Sequence, residues 1–228
     1  METLTAKNQK YYDRDYFETG NKKMIDPLTG DETTWGYKGT DWTGNFHVVQ
    51  GIMDTFQGDI GSILDLGAGQ GSFTDYCLRA GLRAKGYDFS DYAVANPHHF
   101  AKGHLFQLDV TQGVPEADNS YDMVFSSDMC EHILKSKIDA VVKEFKRVTK
   151  KWVFLQFPIV GLPEDVFDFE KYENVPDKEK HPKWAHFMMP GHLNMEQREW
   201  WDALFIQNGF KIREDLVIDF RSNTPRDV

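Results

Sequence analysis

The chain has 228 residues, 40% of them apolar, and a formal net charge of -10. That length suits one sizeable core, while the charge disfavours broad attraction to nucleic acid or anionic membrane and leaves a small molecule as the expected partner. Cys77 and Cys130 are the only cysteines, too few for a disulfide framework and not spaced as a zinc pair, so both read as core thiols. Met1 to Lys10 is polar and lacks the apolar stretch of a secretory signal, and no run is long enough to span a bilayer, so the expected location is cytoplasmic with no membrane contact. Composition leaves the oligomeric state open.

Residues 1–44 are rich in aromatic, Gly, Asp and Thr residues without a sustained period, as in Tyr11-Tyr12-Asp13-Arg14-Asp15-Tyr16-Phe17, and read as an arm or lid. Tyr11, Tyr12, Trp35, Tyr37 and Trp42 are its candidates for lining a neighbouring pocket. From Asn45 the pattern changes: Phe46, Val49, Ile52, Met53 and Phe56 recur at three- and four-residue intervals and predict an amphipathic helix. Ile63 to Leu66 reads as a buried strand, Ser72 to Ala80 as a helix stopped by Gly81, and Arg83 to Tyr87 as a strand ending at Asp88. A short helix follows Ser90 and stops near Pro97; Leu105 to Leu108 and Met123 to Ser126 are further strands. Ile138, Val141, Val142, Phe145 and Val148 mark one face of the next helix, and Trp152 to Phe157 a fifth strand.

Strands alternating with helices at this spacing predict an α/β fold of parallel β-α-β units, with ligands outside the carboxyl ends of the strands. Residues 158–194 break the rhythm and form an expected substrate-side insertion. A helix from about Glu196 to Asn208, in which Trp200 or Trp201 should be core, and a strand from Phe210 close a single domain over 1–228, whose core is 45–157 and whose end is 195–228.

The run Asp65-Leu66-Gly67-Ala68-Gly69-Gln70-Gly71 places a glycine turn after a strand, where backbone can approach a ligand closely. A dinucleotide site would set its third glycine one residue later, and Asp65 would repel a pyrophosphate. A carboxylate there suits a ligand carrying a positive amino group. Asp88 sits where a ribose diol would be accepted, and Asp109 where an adenine amine would be. Asp88 or Asp109 alone also reads as a solvated strand-end or helix-capping acid. Amino acid, ribose and adenine in that order describe S-adenosylmethionine.

These residues resemble the class I S-adenosylmethionine-dependent methyltransferases over roughly residues 45–157. Asp65-Leu66-Gly67-Ala68-Gly69-Gln70-Gly71 is similar to the family's first motif, Gly86-Tyr87-Asp88-Phe89-Ser90 to its second, and Leu108-Asp109-Val110 to its adenine-side motif. Tyr121-Asp122-Met123-Val124-Phe125-Ser126 followed by Cys130-Glu131-His132-Ile133 resembles its fourth-strand region. The resemblance implies a Rossmann-like, doubly wound sheet of seven strands, one antiparallel, and cofactor contacts from Asp65, Gly67, Ala68, Gly69, Gly71, Asp88, Phe89, Asp109, Val110 and Ser126.

Transfer to a hydroxyl requires a proton acceptor, and histidine suits neutral pH. His132, after the fourth strand, is the first candidate, and Glu131-His132 resembles the pair in ubiquinone-biosynthesis and other small-molecule O-methyltransferases. His186 and His192 in the insertion are the second group, His192 being preferred. The alternatives are a histidine capping or lining the following helix and solvated histidines in a surface insertion. Asp128-x-x-Glu131-His132 with a histidine from the insertion is also a candidate for a divalent ion, similar to the Glu-x-x-Glu-His pattern of small-RNA 2′-O-methyltransferases with Asp128 as the departure, although a metal is not the expected case. Pro190-Gly191-His192-Leu193-Asn194 resembles methyltransferases of bacterial polysaccharide synthesis, which makes a sugar hydroxyl the first expectation. An amine acceptor, a nucleic-acid ribose and a cofactor-binding protein without transfer activity are the alternatives.

Overall fold

The computed structural model describes residues 9–25, 32–37, 43–159, 167–168 and 192–216. Its centre is a five-stranded parallel sheet formed by β3 (Ser62–Leu66), β4 (Arg83–Asp88), β5 (Leu105–Gln107), β6 (Tyr121–Ser127) and β7 (Thr149–Gln156), in the order β5-β4-β3-β6-β7. The chain runs outward from β3 through β4 to β5, then crosses back to β6 beside β3, so strand order reverses at the β3/β6 boundary. A crevice opens outside the strand ends at such a reversal, and ligands bind there.

Alternation along the central strands builds two cores. Ile63, Met123 and Phe125 face one side with Val49 and Ile52 of α1 (Thr43–Phe56) and Phe73 and Cys77 of α2 (Ser72–Arg79). Leu64, Leu66 and Val124 face the other with Ile138, Val141, Val142 and Phe145 of α4 (Lys135–Val148) and Trp201, Leu204 and Phe205 of α5 (Arg198–Gln207). Because helices cover both faces, β3 is apolar throughout except for Ser62 and Asp65, and all five of its residues are buried. A buried carboxylate in that setting needs a reason, and it points to the site. Both cysteines are free and buried, as expected for core thiols.

The short α3 (Asp91–Ala95) starts where Ser90 accepts a hydrogen bond from the Ala93 amide. The arm carries local structure: turns at Gln9–Tyr11 and Asp15–Thr19, and a hairpin of β1 (Lys22–Ile25) with β2 (Glu32–Trp35). Of the insertion, β8 (Phe167–Asp168) pairs antiparallel with β9 (Asn194–Met195). No described helix is long and apolar enough to cross a membrane.

The expected strand from Phe210 does not form. Residues 210–213 are irregular and 214–216 make a helical turn. Phe210 folds back on Phe205 of α5, with ring centroids 5.4 Å apart, and Ile212 packs on the same core. Two alternating apolar residues fit a chain lying on a helix as well as they fit a strand. The expected antiparallel strand is absent from the described part of the main sheet, and residues 217–228 lie outside the described residues, as do Trp42, His186 and the side chain of Trp35. Trp201 is the core tryptophan.

Candidate functional site

The crevice at the strand ends holds a cavity of about 370 Å³. Eight of the ten residues expected to touch a cofactor line it: Asp65, Gly67, Ala68, Gly69, Asp88, Phe89, Asp109 and Val110. Gly67 has φ 81°, and a Cβ there would lie 2.7 Å from Cβ of Met129, so the turn needs glycine both for conformation and for space.

The three acids are held differently. Asp65 is 2% exposed, and its Oδ2 accepts a hydrogen bond from the Thr74 hydroxyl at 2.8 Å. Burial pushes its carboxyl up to about 7; the Thr74 hydrogen bond opposes this and neighbouring Asp88 adds to it. An ammonium group beside it would supply the opposite charge that the fold withholds. Asp88 accepts from the Gly69 amide through Oδ2 at 2.7 Å and from the Ser90 amide through Oδ1 at 2.8 Å. It therefore pins the glycine turn as well as facing the cavity. Desolvation raises its carboxyl above the ordinary range even though these amides favour the charged form. Asp109 accepts through Oδ1 from the amide and hydroxyl of Thr111, at 3.0 and 2.7 Å, while Oδ2 carries no protein hydrogen bond among the described residues. Cap and cavity lining, set against each other in the sequence reading, coexist in this residue.

Gly71 and Ser126 do not line the cavity. Gly71 caps α2 with φ 79°, and a Cβ there would meet Ala101 Cβ at 2.8 Å, so it shapes the turn from behind. Ser126 is 1% exposed and donates to the Leu66 carbonyl at 2.7 Å. Side chains alternate along β6, which turns Phe125 and Ser127 to the cavity and Ser126 away from it.

The other end of the cavity is made by the arm and by the turn after β6. Tyr12, Tyr16, Phe17 and Tyr37 form its aromatic wall; Tyr11 packs edge-on against Tyr12 but does not line it. The arm is fastened by the Ser90 hydroxyl, which donates to the Tyr12 carbonyl at 2.5 Å, and by the Tyr92 hydroxyl, which donates to Glu18 at 2.7 Å. Tyr16 and Phe17 were not separated from the rest of the arm by any pattern in the sequence. The Tyr12 hydroxyl lies 3.4 Å from Nδ1 of His132, which also lines the cavity.

Asp128 lines the cavity but shares no helical face with Glu131 or His132. It has φ 50°, accepts from the Ser127 hydroxyl at 2.9 Å, and precedes a single tight turn, Cys130–His132. The ring of His192 instead lies against that of His132, with centroids 4.9 Å apart, and the Leu193 amide donates to the Glu131 carbonyl at 2.7 Å. His192 is buried and outside the cavity lining. Burial, then the neighbouring His132, pulls its conjugate acid down to about 3, so it is neutral and a weak proton acceptor. Glu131 is fully buried, and burial raises its carboxyl well above the usual range.

Residues 64–155 match the family Methyltransf_11, described as a methyltransferase domain. That span has the sequence pattern of a methyltransferase domain. The methyltransferase family binds S-adenosylmethionine, and the matched span contains the glycine turn and all three acids. No curated protein matches the chain. Solved structures of similar fold include the YcgJ protein from Bacillus subtilis, at 20% identity and a TM-score of 0.55, covering 79% of each chain. A SAM-dependent methyltransferase from Archaeoglobus fulgidus is 17% identical with a TM-score of 0.54, over 76% of this chain and 71% of that one. The [4+2]-cyclase SpnF is also 17% identical, with a TM-score of 0.52 over 78% and 64%. At these identities the likeness concerns the fold.

Proposed function

We propose that this methyltransferase transfers the methyl group of S-adenosylmethionine to a hydroxyl of a small molecule, a sugar or related metabolite, with His132 taking the proton. The observation that carries this reading is His132 in the cavity wall with its Nδ1 facing the Tyr12 hydroxyl. The acids order the cofactor from adenine at Asp109 through ribose at Asp88 to the methionyl ammonium at Asp65, which leaves the sulfonium between the glycine turn and the aromatic wall. The acceptor oxygen attacks the methyl carbon as the carbon–sulfur bond breaks, the sulfur leaves as a neutral thioether, and the hydroxyl proton passes to the His132 ring. His192, outside the cavity lining and a weak acceptor, is not the base.

The arm favours a small acceptor. It closes the crevice with four aromatic rings rather than leaving a long basic groove, and the net charge of -10 opposes a polyanionic substrate. The rings offer π faces to the sulfonium and a dry wall for in-line transfer.

Replacing His132 by Gln removes proton acceptance and keeps much of the shape. Single-turnover transfer to a hydroxyl acceptor should slow by about two to four orders of magnitude while S-adenosylmethionine affinity stays close to wild type. Transfer at the wild-type rate would instead mark the acceptor as an amine placed by position alone.

A further inference from the structure

Glu131 is fully buried, and neither carboxylate oxygen has a hydrogen-bond partner among the described residues. A buried carboxylate left unpaired is costly, and natural folds resolve such a group with a counter-charge or a coordinated cation. Two imidazole nitrogens stand beside it: Nε2 of His192 lies 3.8 Å from Oε1 of Glu131 and Nε2 of His132 lies 4.0 Å from it. Both exceed hydrogen-bonding distance. One atom from each of the three residues fits within a span of 4.8 Å.

We propose that Glu131, His132 and His192 bind one divalent cation of the borderline class, such as zinc or cobalt. Two imidazoles and one carboxylate match that class in hardness, and three protein ligands leave a fourth position for water or another oxygen ligand. Metal–ligand bonds of about 2.0–2.2 Å in a tetrahedral site place ligand atoms roughly 3.3–3.5 Å apart, so the two carboxylate–imidazole spacings need to close by less than about 1 Å and the widest spacing, within 4.8 Å, by up to about 1.5 Å. Two features hold the ligands ready. The Leu193 amide bonded to the Glu131 carbonyl ties the two segments together, and the Tyr12 hydroxyl facing Nδ1 of His132 is the outer partner that a ligating histidine requires.

The ligands come from sequence positions that no spacing rule joins, and Asp128, the acid that the sequence pattern offered, is not one of them. The site shares His132 with the proposed base, and the two roles exclude each other in one molecule. With Nε2 on the cation, Nδ1 keeps its proton, so proton acceptance by His132 belongs to the metal-free protein.

The test uses the full chain, freed of metal by chelation and of any histidine tag, titrated with Zn²⁺ by calorimetry and with Co²⁺ by visible absorption. One equivalent should bind, and Co²⁺ should show the d–d bands of a low-coordinate nitrogen and oxygen site. Glu131→Gln and His192→Gln should each weaken binding by more than roughly 100-fold, whereas Asp128→Asn should leave it unchanged. Circular dichroism and S-adenosylmethionine binding confirm that each variant is folded. Absence of stoichiometric binding, or binding that survives both Glu131→Gln and His192→Gln, overturns the site. No acceptor is needed, so failure here leaves the methyl-transfer reading standing, and failure of that reading leaves the metal result intact.

Discussion

The two ends of the cavity are built on different principles. At the cofactor end, Asp88 and Asp109 already accept hydrogen bonds from backbone amides within two residues of themselves or from the neighbouring glycine turn. Asp88 and Asp109 are thus held by nearby chain before a ligand arrives, while Asp65 is left buried without a counter-charge. At the acceptor end, Tyr12, His132 and His192 come together from the arm, the turn after β6 and the end of the insertion, around a Glu131 carboxylate that has no hydrogen-bond partner among the described residues. Local satisfaction makes a binding site rigid; distant assembly leaves reactive groups underpaired.

Substitution should sharpen the contrast, and the largest effect is expected at the acceptor end. His132→Gln is expected to cost about two to four orders of magnitude in single-turnover rate, while His192→Gln in metal-free protein should change that rate far less. Comparable losses in both variants would end the assignment of the base to the cavity wall.

The next effect belongs to Asp65 and is a matter of stability. Its carboxyl titrates near pH 7 in the fold against the ordinary carboxylate range when unfolded, so the folded state holds its proton more tightly. Stability from this group is complete below about pH 4 and is lost as pH rises through about 7, amounting to up to roughly 4 kcal/mol. Asp65→Asn should therefore be more stable than the wild type in urea at pH 8, with the gap closing towards pH 4. An equal gap at both pH values would contradict the buried, ligand-awaiting carboxylate. S-Adenosylmethionine, by bringing its ammonium, should narrow the gap at pH 8.

At Asp88 a smaller loss is expected. Asp88→Ala frees the Gly69 and Ser90 amides and removes the ribose acceptor, and should weaken S-adenosylmethionine binding by roughly 1.5–3 kcal/mol, or about 10- to 150-fold, by calorimetry. The smallest is Tyr12→Phe, which keeps the ring and deletes one hydroxyl; transfer should slow by about 3- to 10-fold with cofactor affinity unaltered. A loss of cofactor affinity alone would move Tyr12 to the other end of the cavity.

The same division explains what could be read from the amino-acid sequence. Strands β3 to β7 and their helices were legible because their apolar residues keep the periods of buried strands and amphipathic helices. That the three acids line the cavity was legible because each stands at or near a strand end, where topology decides what it faces. Gly71 and Ser126 lie outside the cavity lining because motif membership says nothing about which way a strand side chain points, as at Ser126, or which side of a turn a glycine lies on, as at Gly71. Tyr16 and Phe17 carried no local signal, since the arm owes its shape to packing against α3 and the glycine turn. His192 was a candidate among several histidines, and only the pairing of Leu193 with Glu131 brings it to His132. Phe210 was misread because two alternating residues do not distinguish a strand from a chain folded onto a helix.

The central claim is a direction: adenine at Asp109, ribose at Asp88, ammonium at Asp65, and the methyl group aimed at His132. A crystal structure with S-adenosylhomocysteine tests it most directly. The account predicts the ribose hydroxyls on the Asp88 carboxylate and the sulfur facing the space bounded by Tyr12 and His132. A ligand bound in the reverse sense, or with its sulfur turned away from His132, would contradict it.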